Sequence, residues 1–185
     1  MIRSKGDYEA YLAADKAALR VSGSLRDRFF HPIYNYQKLL RLLEYRLNCK
    51  HGILSKPCTL WIRYKFQKQS IRLGFSISPN SCEAGLELGH YGDTVINGKA
   101  RIGKNCTIAG AGVLIGEDIA SGKAPIIGDN CYIGPGAKVI GGVRIAEGVT
   151  IAANAVVVHD VTEAYTTVGG IPARKISDNS VKKKS

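Results

Sequence analysis

Aliphatic residues recur at every sixth position through the second half of the chain. Ile127, Ile133, Val139, Ile145, Ile151 and Val157 keep that interval, and Ile96, Ile102 and Ile108 form an earlier run with the same spacing. Two residues before them stand small or apolar side chains: Pro125, Cys131, Ala137, Val143, Val149 and Ala155 in the later run, Thr94, Ala100 and Cys106 in the earlier. An α-helix repeats at 3.6 residues and cannot hold every sixth residue on one face. A strand alternates at two, and six is a multiple of two. The repeating unit is then a short strand with two inward residues, followed by a tight corner. Three units close a triangular coil of about eighteen residues, and stacked coils pair their strands in parallel. Gly, Asn and Asp in "GKN" (103–105) and "GDN" (128–130) suit corners, because they tolerate left-handed backbone angles. The pattern predicts a mainly-β fold, a parallel β-helix.

Two irregularities interrupt the count. Ile108 and Ile115 are seven residues apart, and "GEDIASGKAP" (116–125) breaks the aliphatic pattern before Ile127. The second reads as a loop leaving the prism, a common place for function on a rigid repeat. At the front lies "LELGHYGDTVIN" (86–97). Six residues back from Ile96 falls on His90, so strict register points its ring inward. Ile71 and Ile77 do not continue to 90 in sixes, which places a slip in register between Pro79 and Leu86.

The first part of the chain has a different period. "DYEAYLAADKAALR" reads as a helix opened by Ser4 or Asp7. "HPIYNYQKLLRLLEYRLN" reads as a second, with Tyr36, Leu39, Leu40, Leu43 and Leu47 as its stripe and Pro32 in its first turn. "TLWIRYKFQKQSIRLG" reads as a third, in which Trp61, Tyr64 and Phe66 are poorly phased for a single stripe. Core packing accounts for these aromatics; contact of the basic, aromatic-rich stretch with a membrane surface is the sharper alternative. The expected organisation is an N-terminal helical segment over 1–70, a β-helix over 71–176, and a basic, disordered tail over 177–185.

Composition narrows the classes. The chain has 185 residues, enough for one domain with a real core, and a formal net charge of +11. No apolar run is long enough to span a bilayer, and "MIRSKGDYEAYL" lacks the apolar stretch of a secretory signal, so a soluble cytoplasmic protein is expected. Five Cys without a CxxC pair match neither a disulfide framework nor a zinc site, and no metal is expected. The basic balance suits an anionic partner. No stacking platform in the repeats speaks for nucleic acid. "GKARIGKN" (98–105) has the glycines and lysine of a phosphate loop but ends in Asn105 and lies inside the repeat.

The repeats, "HYGDTVIN" and "VGGIPARKI" together resemble the hexapeptide-repeat acyltransferases, and most of all a serine acetyltransferase-like branch associated with surface-polysaccharide synthesis. The resemblance covers roughly residues 71–176. It implies a left-handed β-helix, a homotrimer, and acetyl-CoA as co-substrate lying in a groove between neighbouring prisms. It also implies that His90 is the general base acting on an acceptor hydroxyl of serine or of a surface-glycan sugar. Gly116, Gly134, Ala152, Arg174 and Lys175 are the positions it places beside CoA, and Lys123 is a further basic candidate. Three positions depart from the family pattern. Ser76 stands where serine acetyltransferases carry an aspartate, Ala124 where they carry a second histidine, and Ala152 where they usually carry glycine.

The chemistry asks little of the protein: a base near neutral pKa, a groove for the thioester, and backbone N–H groups for the oxyanion. Glu83, Glu87, Asp93 or a main-chain carbonyl would orient the ring. Without the resemblance, His90 reads as a satisfied histidine at the blunt end of the repeat. His31, His51 and His159 read as structural or solvated. A non-catalytic β-helix scaffold is the competing function.

Overall fold

The computed structural model describes residues 1–22, 24, 27 and 30–181. Among them, three long helices precede a parallel β-helix. Helix α1 is Lys5–Ala18, α2 is Pro32–Cys49 and α3 is Lys56–Leu73. Ser4 caps α1 by accepting the Asp7 amide at 3.0 Å. His31 caps α2 through Nδ1, which accepts the Tyr34 amide at 3.2 Å, and Pro32 occupies the first turn. Gly74, at φ +75°, ends α3 in the left-handed region.

The prism has three faces. The first carries β1 (Phe75–Ile77), β3 (Thr94–Ile96), β6 (Val113–Gly116), β9 (Lys138–Ile140) and β12 (Val156–Val157), in that order. The second carries β4 (Arg101–Ile102), β7 (Ile126–Ile127) and β10 (Arg144–Ile145), extended by bridges at Cys82 and Val161. The third carries β2 (Glu87–Leu88), β5 (Thr107–Ile108), β8 (Tyr132–Ile133), β11 (Thr150–Ile151) and β13 (Thr167–Gly170). All these pairings are parallel. One strand, β14 (Ala173–Ser177), folds back antiparallel on β13.

Registered partners define the inward columns. Ile77, Ile96, Ile115, Val139 and Val157 stack under the first face. Leu88, Ile108, Ile133, Ile151 and Val168 stack under the third. All ten are buried, as are the small inward residues Ala100, Cys106, Cys131, Ala137 and Ala155. Each buried aliphatic side chain contributes about 1.5–3 kcal/mol over its exposed state. The six-residue reading therefore holds from Ile96 to Ile108 and again from Ile127 to Val157.

It fails at His90. The inward residue before Ile96 is Leu88, eight positions back instead of six. The two extra residues lift His90 out of the column into an exposed corner over 89–93. An earlier slip also exists, since Ile77 and the bridging Cys82 are five residues apart. The other interruption matches expectation: 116–125 leaves the prism between Ile115 and Ile127.

One corner column explains the Gly and Asn content. Gly85, Asn105, Asn130, Gly148 and Tyr165 all take positive φ between the second and third faces. The turns are stacked so closely that a Cβ on Gly85 would lie 2.3 Å from Asn105 Oδ1.

The helices dock on the first coil through buried charge. Arg41 is fully buried; its Nε donates to Asp15 Oδ2 at 2.7 Å and its Nη1 to Glu44 Oε2 at 2.9 Å. The same guanidinium donates to the carbonyl oxygens of Cys82 and Glu83, each at 2.8 Å. Asp15 in return accepts the amides of Gly85 and Leu86, and Glu44 accepts that of Asn80. Burial lowers the Arg41 pKa, but Glu44 and Asp15 more than offset it, and the guanidinium stays charged.

At the other end, Ser177–Val181 stay on the prism. Thr167 donates to the Asn179 carbonyl at 2.5 Å, and Thr150 Oγ1 accepts the Val181 amide at 2.9 Å. The remainder of the expected tail, 182–185, lies outside the described residues.

Candidate active site

His90 belongs to the corner that joins the third face to the first. Its loop is held from both sides. The Gly89 amide donates to Ile108 O at 2.9 Å, and the Gly92 amide donates to Leu73 O, the last carbonyl of α3, at 2.8 Å. Glycine is required at 92, where φ is +126° and a Cβ would lie 2.7 Å from Ala111 Cβ. The backbone is thus fixed while the imidazole is exposed, with no hydrogen-bond partner among the described residues.

Two of the three carboxylates near His90 in sequence are engaged elsewhere. Glu83 is held by the Tyr11 hydroxyl, and Glu87 Oε2 accepts from Thr107 Oγ1 at 2.7 Å. Asp93 is exposed at the end of the same loop. His51 bonds the Asn48 carbonyl oxygen at 2.9 Å, and His159 is exposed.

Gly134 and Ala152 follow His90 down the same edge of the prism. They are the first residues after β8 and β11, as Gly89 is the first after β2. A Cβ on Gly134 would lie 2.6 Å from the Ala153 amide nitrogen, so glycine there allows close stacking of coils. The methyl of Ala152 lies against Gly169 in the next coil.

Arg174 and Lys175 lie on β14 at the far end of the stack and differ in state. Arg174 is exposed, and its Nη1 donates to its neighbour's carbonyl, Ala173 O, at 3.0 Å. Lys175 Nζ pairs with Glu163 Oε1 at 2.6 Å and with Asp178, which together raise its pKa. Its charge is already balanced within the chain. Both residues line a cavity of about 200 Å³ with His159 and Glu163.

Gly116 is not on the His90 edge. It ends β6 at the opposite end of the first face, where the 116–125 loop departs. There a groove of about 550 Å³ is lined by Ser76, Val95, Leu114, Glu117, Ile119 and Ile140. Lys123 and Ala124 belong to the same loop. Asp118 organises it, its carboxylate accepting the amides of Ala120 and Ser121 at 3.2 and 3.0 Å. The groove was not singled out by motif, yet its signal is present in the sequence. Val95 and Leu114, each just before an inward isoleucine, are apolar, whereas two of the three corresponding outward positions on the second face are Arg101 and Arg144, the third being Ile126.

The family of bacterial transferase hexapeptides (six repeats) matches residues 124–159. A serine acetyltransferase of Bacillus subtilis (strain 168) is 31% identical over 156 residues, covering 83% of this chain and 70% of that protein. The structure of Neisseria gonorrhoeae serine acetyltransferase in complex with serine is similar at 27% identity and a TM-score of 0.68, covering 94% of this chain and 71% of that one. That of Brucella abortus serine acetyltransferase in complex with coenzyme A is similar in fold, at 22% identity and a TM-score of 0.69, covering 97% and 71%. The chain belongs to the serine acetyltransferase family and is an acyltransferase.

Proposed function

We propose that the protein transfers acetyl from acetyl-CoA to the hydroxyl of serine or of a serine-like or sugar acceptor, with His90 as general base. The observation that carries this reading is the eight-residue spacing between the inward residues Leu88 and Ile96. It takes His90 out of the aliphatic column and presents a free imidazole on a rigid backbone. Relatives whose structures hold serine and coenzyme A support the substrate classes. The left-handed sense of the prism goes with the same family.

In the proposed reaction the imidazole removes the acceptor hydroxyl proton as the oxygen attacks the thioester carbonyl. The tetrahedral intermediate then expels the CoA thiolate, which takes the proton back from the imidazolium. No covalent enzyme intermediate is needed. Ser76, in the groove beside the 116–125 loop, and Ala124, on that loop, carry no charge. An acceptor larger than free serine and without its ammonium and carboxylate charges suits those substitutions, and a surface-glycan sugar fits that description.

The site is proposed to lie between subunits of a homotrimer. His90 sits where the strands of the first face begin, and the Gly116–Pro125 loop sits where they end. A neighbouring copy would bring one chain's loop against the other chain's histidine. Exposed Val95, Ile126 and Val158 supply apolar contact. Light scattering that gives a stable monomer would remove this arrangement.

The test of the activity is acetyl-CoA turnover with serine and a panel of hydroxyl acceptors, comparing the unaltered protein with His90→Ala. A loss of about 100-fold or more is expected of a missing general base. Undiminished turnover removes His90 from the mechanism. The competing reading, a non-catalytic scaffold, draws on Ser76 and Ala124 standing at family catalytic positions. It requires that calorimetry find no CoA binding at millimolar ligand.

A further inference from the structure

Helix α3 has two apolar faces. Ile62, Phe66, Ser70 and Leu73 are buried against α2 and the first strand. On the opposite side Leu60, Tyr64 and Ile71 fall at i, i+4 and i+11, one stripe of a 3.6-residue helix, with Trp61 beside them. All four are exposed, Trp61 by 56% and Ile71 by 74%. The short 3₁₀ turn before the helix, Ile53–Ser55, adds Ile53 and Leu54, the latter 97% exposed. The sequence pattern shows no single stripe because apolar residues occupy two opposite sides of the helix.

Charge around the outer stripe has one sign. No Asp or Glu occurs between Glu44 and Glu83. Lys65, Lys68 and Arg72 flank the stripe on one side, Lys56 and Arg63 on the other, and all five are exposed. Among the described residues none of them makes an ion pair, and Lys65 lies over the Trp61 ring at 5.0 Å. Trp61 and Tyr64 stack with centroids 5.6 Å apart. Aromatic rings with a polar tip, aliphatic residues between them and a basic rim form the composition of a helix lying in a membrane interface. A second copy packed two-fold on this face would set Lys65, Lys68 and Arg72 against their own counterparts, which disfavours self-association there.

We propose that the outer face of α3 and the preceding 3₁₀ turn dock the protein on an anionic phospholipid surface. Leu54, Leu60, Trp61 and Tyr64 enter the headgroup region, and the basic rim meets lipid phosphates. The attachment is peripheral, since no described helix is long and apolar enough to cross a membrane. Because the His90 loop hangs from Leu73, docking holds that loop beside the same surface.

Trp61 is the only tryptophan of the chain, so its emission reports this face alone. The full chain is mixed with vesicles of phosphatidylcholine containing phosphatidylglycerol, and with vesicles of phosphatidylcholine alone. Co-sedimentation with the anionic vesicles and a blue shift of Trp61 emission are expected, both weakening as salt rises. The triple variant Arg63→Ala, Lys65→Ala, Lys68→Ala is expected to bind roughly 100-fold more weakly, at about fivefold per basic residue. Its circular dichroism should be unchanged, because all three side chains are exposed. The proposal is overturned by absence of binding to anionic vesicles at low salt, or by equal binding of the triple variant. It is likewise overturned by a doubling of mass in light scattering that Trp61→Ala abolishes, which would make a second copy the occupant.

Discussion

The Gly92 amide donates a 2.8 Å hydrogen bond to the carbonyl oxygen of Leu73, so the loop bearing His90 hangs from the C-terminus of α3. The contact is close enough that a Cβ on Gly74 would lie 3.0 Å from the Gly92 carbonyl carbon. The helical segment thereby sets the position of the proposed base.

Gly92→Ala tests that coupling. An alanine at φ +126° carries strain of about 1–3 kcal/mol, and its methyl meets Ala111. The loop relieves the strain by moving, because its side chains face solvent. Turnover is expected to fall about 10- to 100-fold, with kcat affected more than the KM for acetyl-CoA. A variant with full kcat would show that the placement of His90 does not depend on this glycine.

Arg41→Met tests the buried clasp. It leaves Asp15 and Glu44 ionisable and buried without their cation. Breaking such a pair costs about 3–5 kcal/mol. Chemical denaturation should show a loss of that size, and the helices should release before the prism does. A loss under 1 kcal/mol would mean that the network contributes little beyond an apolar isostere.

The 116–125 loop carries a pH dependence through Asp118. Hydrogen bonds from Ser121 and from the Ala120 amide lower its pKa below the ordinary carboxylate value. A depressed folded pKa gives order that is present above the unfolded value and lost as pH falls through the folded one. Exchange protection of the Ala120 and Ser121 amides should therefore persist at neutral pH, begin to weaken only below the ordinary carboxylate value of about 4, and vanish once pH falls below the depressed folded value. Asp118→Asn should flatten that profile.

Thiol labelling separates the cysteines by position in the fold. Cys58 is exposed and Cys49 partly so, while Cys82, Cys106 and Cys131 are buried. Burial pushes the Cys82 thiol up to about 12. In the native protein a thiol reagent should modify Cys58 first, and the three buried residues only on unfolding. Rapid native labelling of Cys106 or Cys131 would indicate an open prism.

Much of the fold is legible because a six-residue period survives any small error in placing the strands. Ile102, Ile127 and Ile145 are spaced 25 and 18 residues apart, yet they still stack, since the extra residues leave as a loop. The position of His90 was harder to read. Its six-residue distance from Ile96 is coincidental, and Leu88 takes the inward slot because leucine buries at no polar cost. Nothing local distinguishes the two. The Arg41 clasp was invisible for another reason: its partners include the carbonyls of Cys82 and Glu83, which only docking brings near. The chemistry at Ser76 and Ala124 rests on family comparison, because neither residue announces a role by its type.

The reversed strand at the end of the stack has a consequence for solubility. A parallel coil ending at β13 would offer its unpaired backbone groups as a template for another chain. Strand β14 occupies that rung in the opposite direction and carries Arg174 and Lys175 on the new margin. A further rung would have to match an inverted strand that presents the exposed Arg174. The repeat thus contains its own terminator on this face, which guards against fibre-like growth along the prism axis.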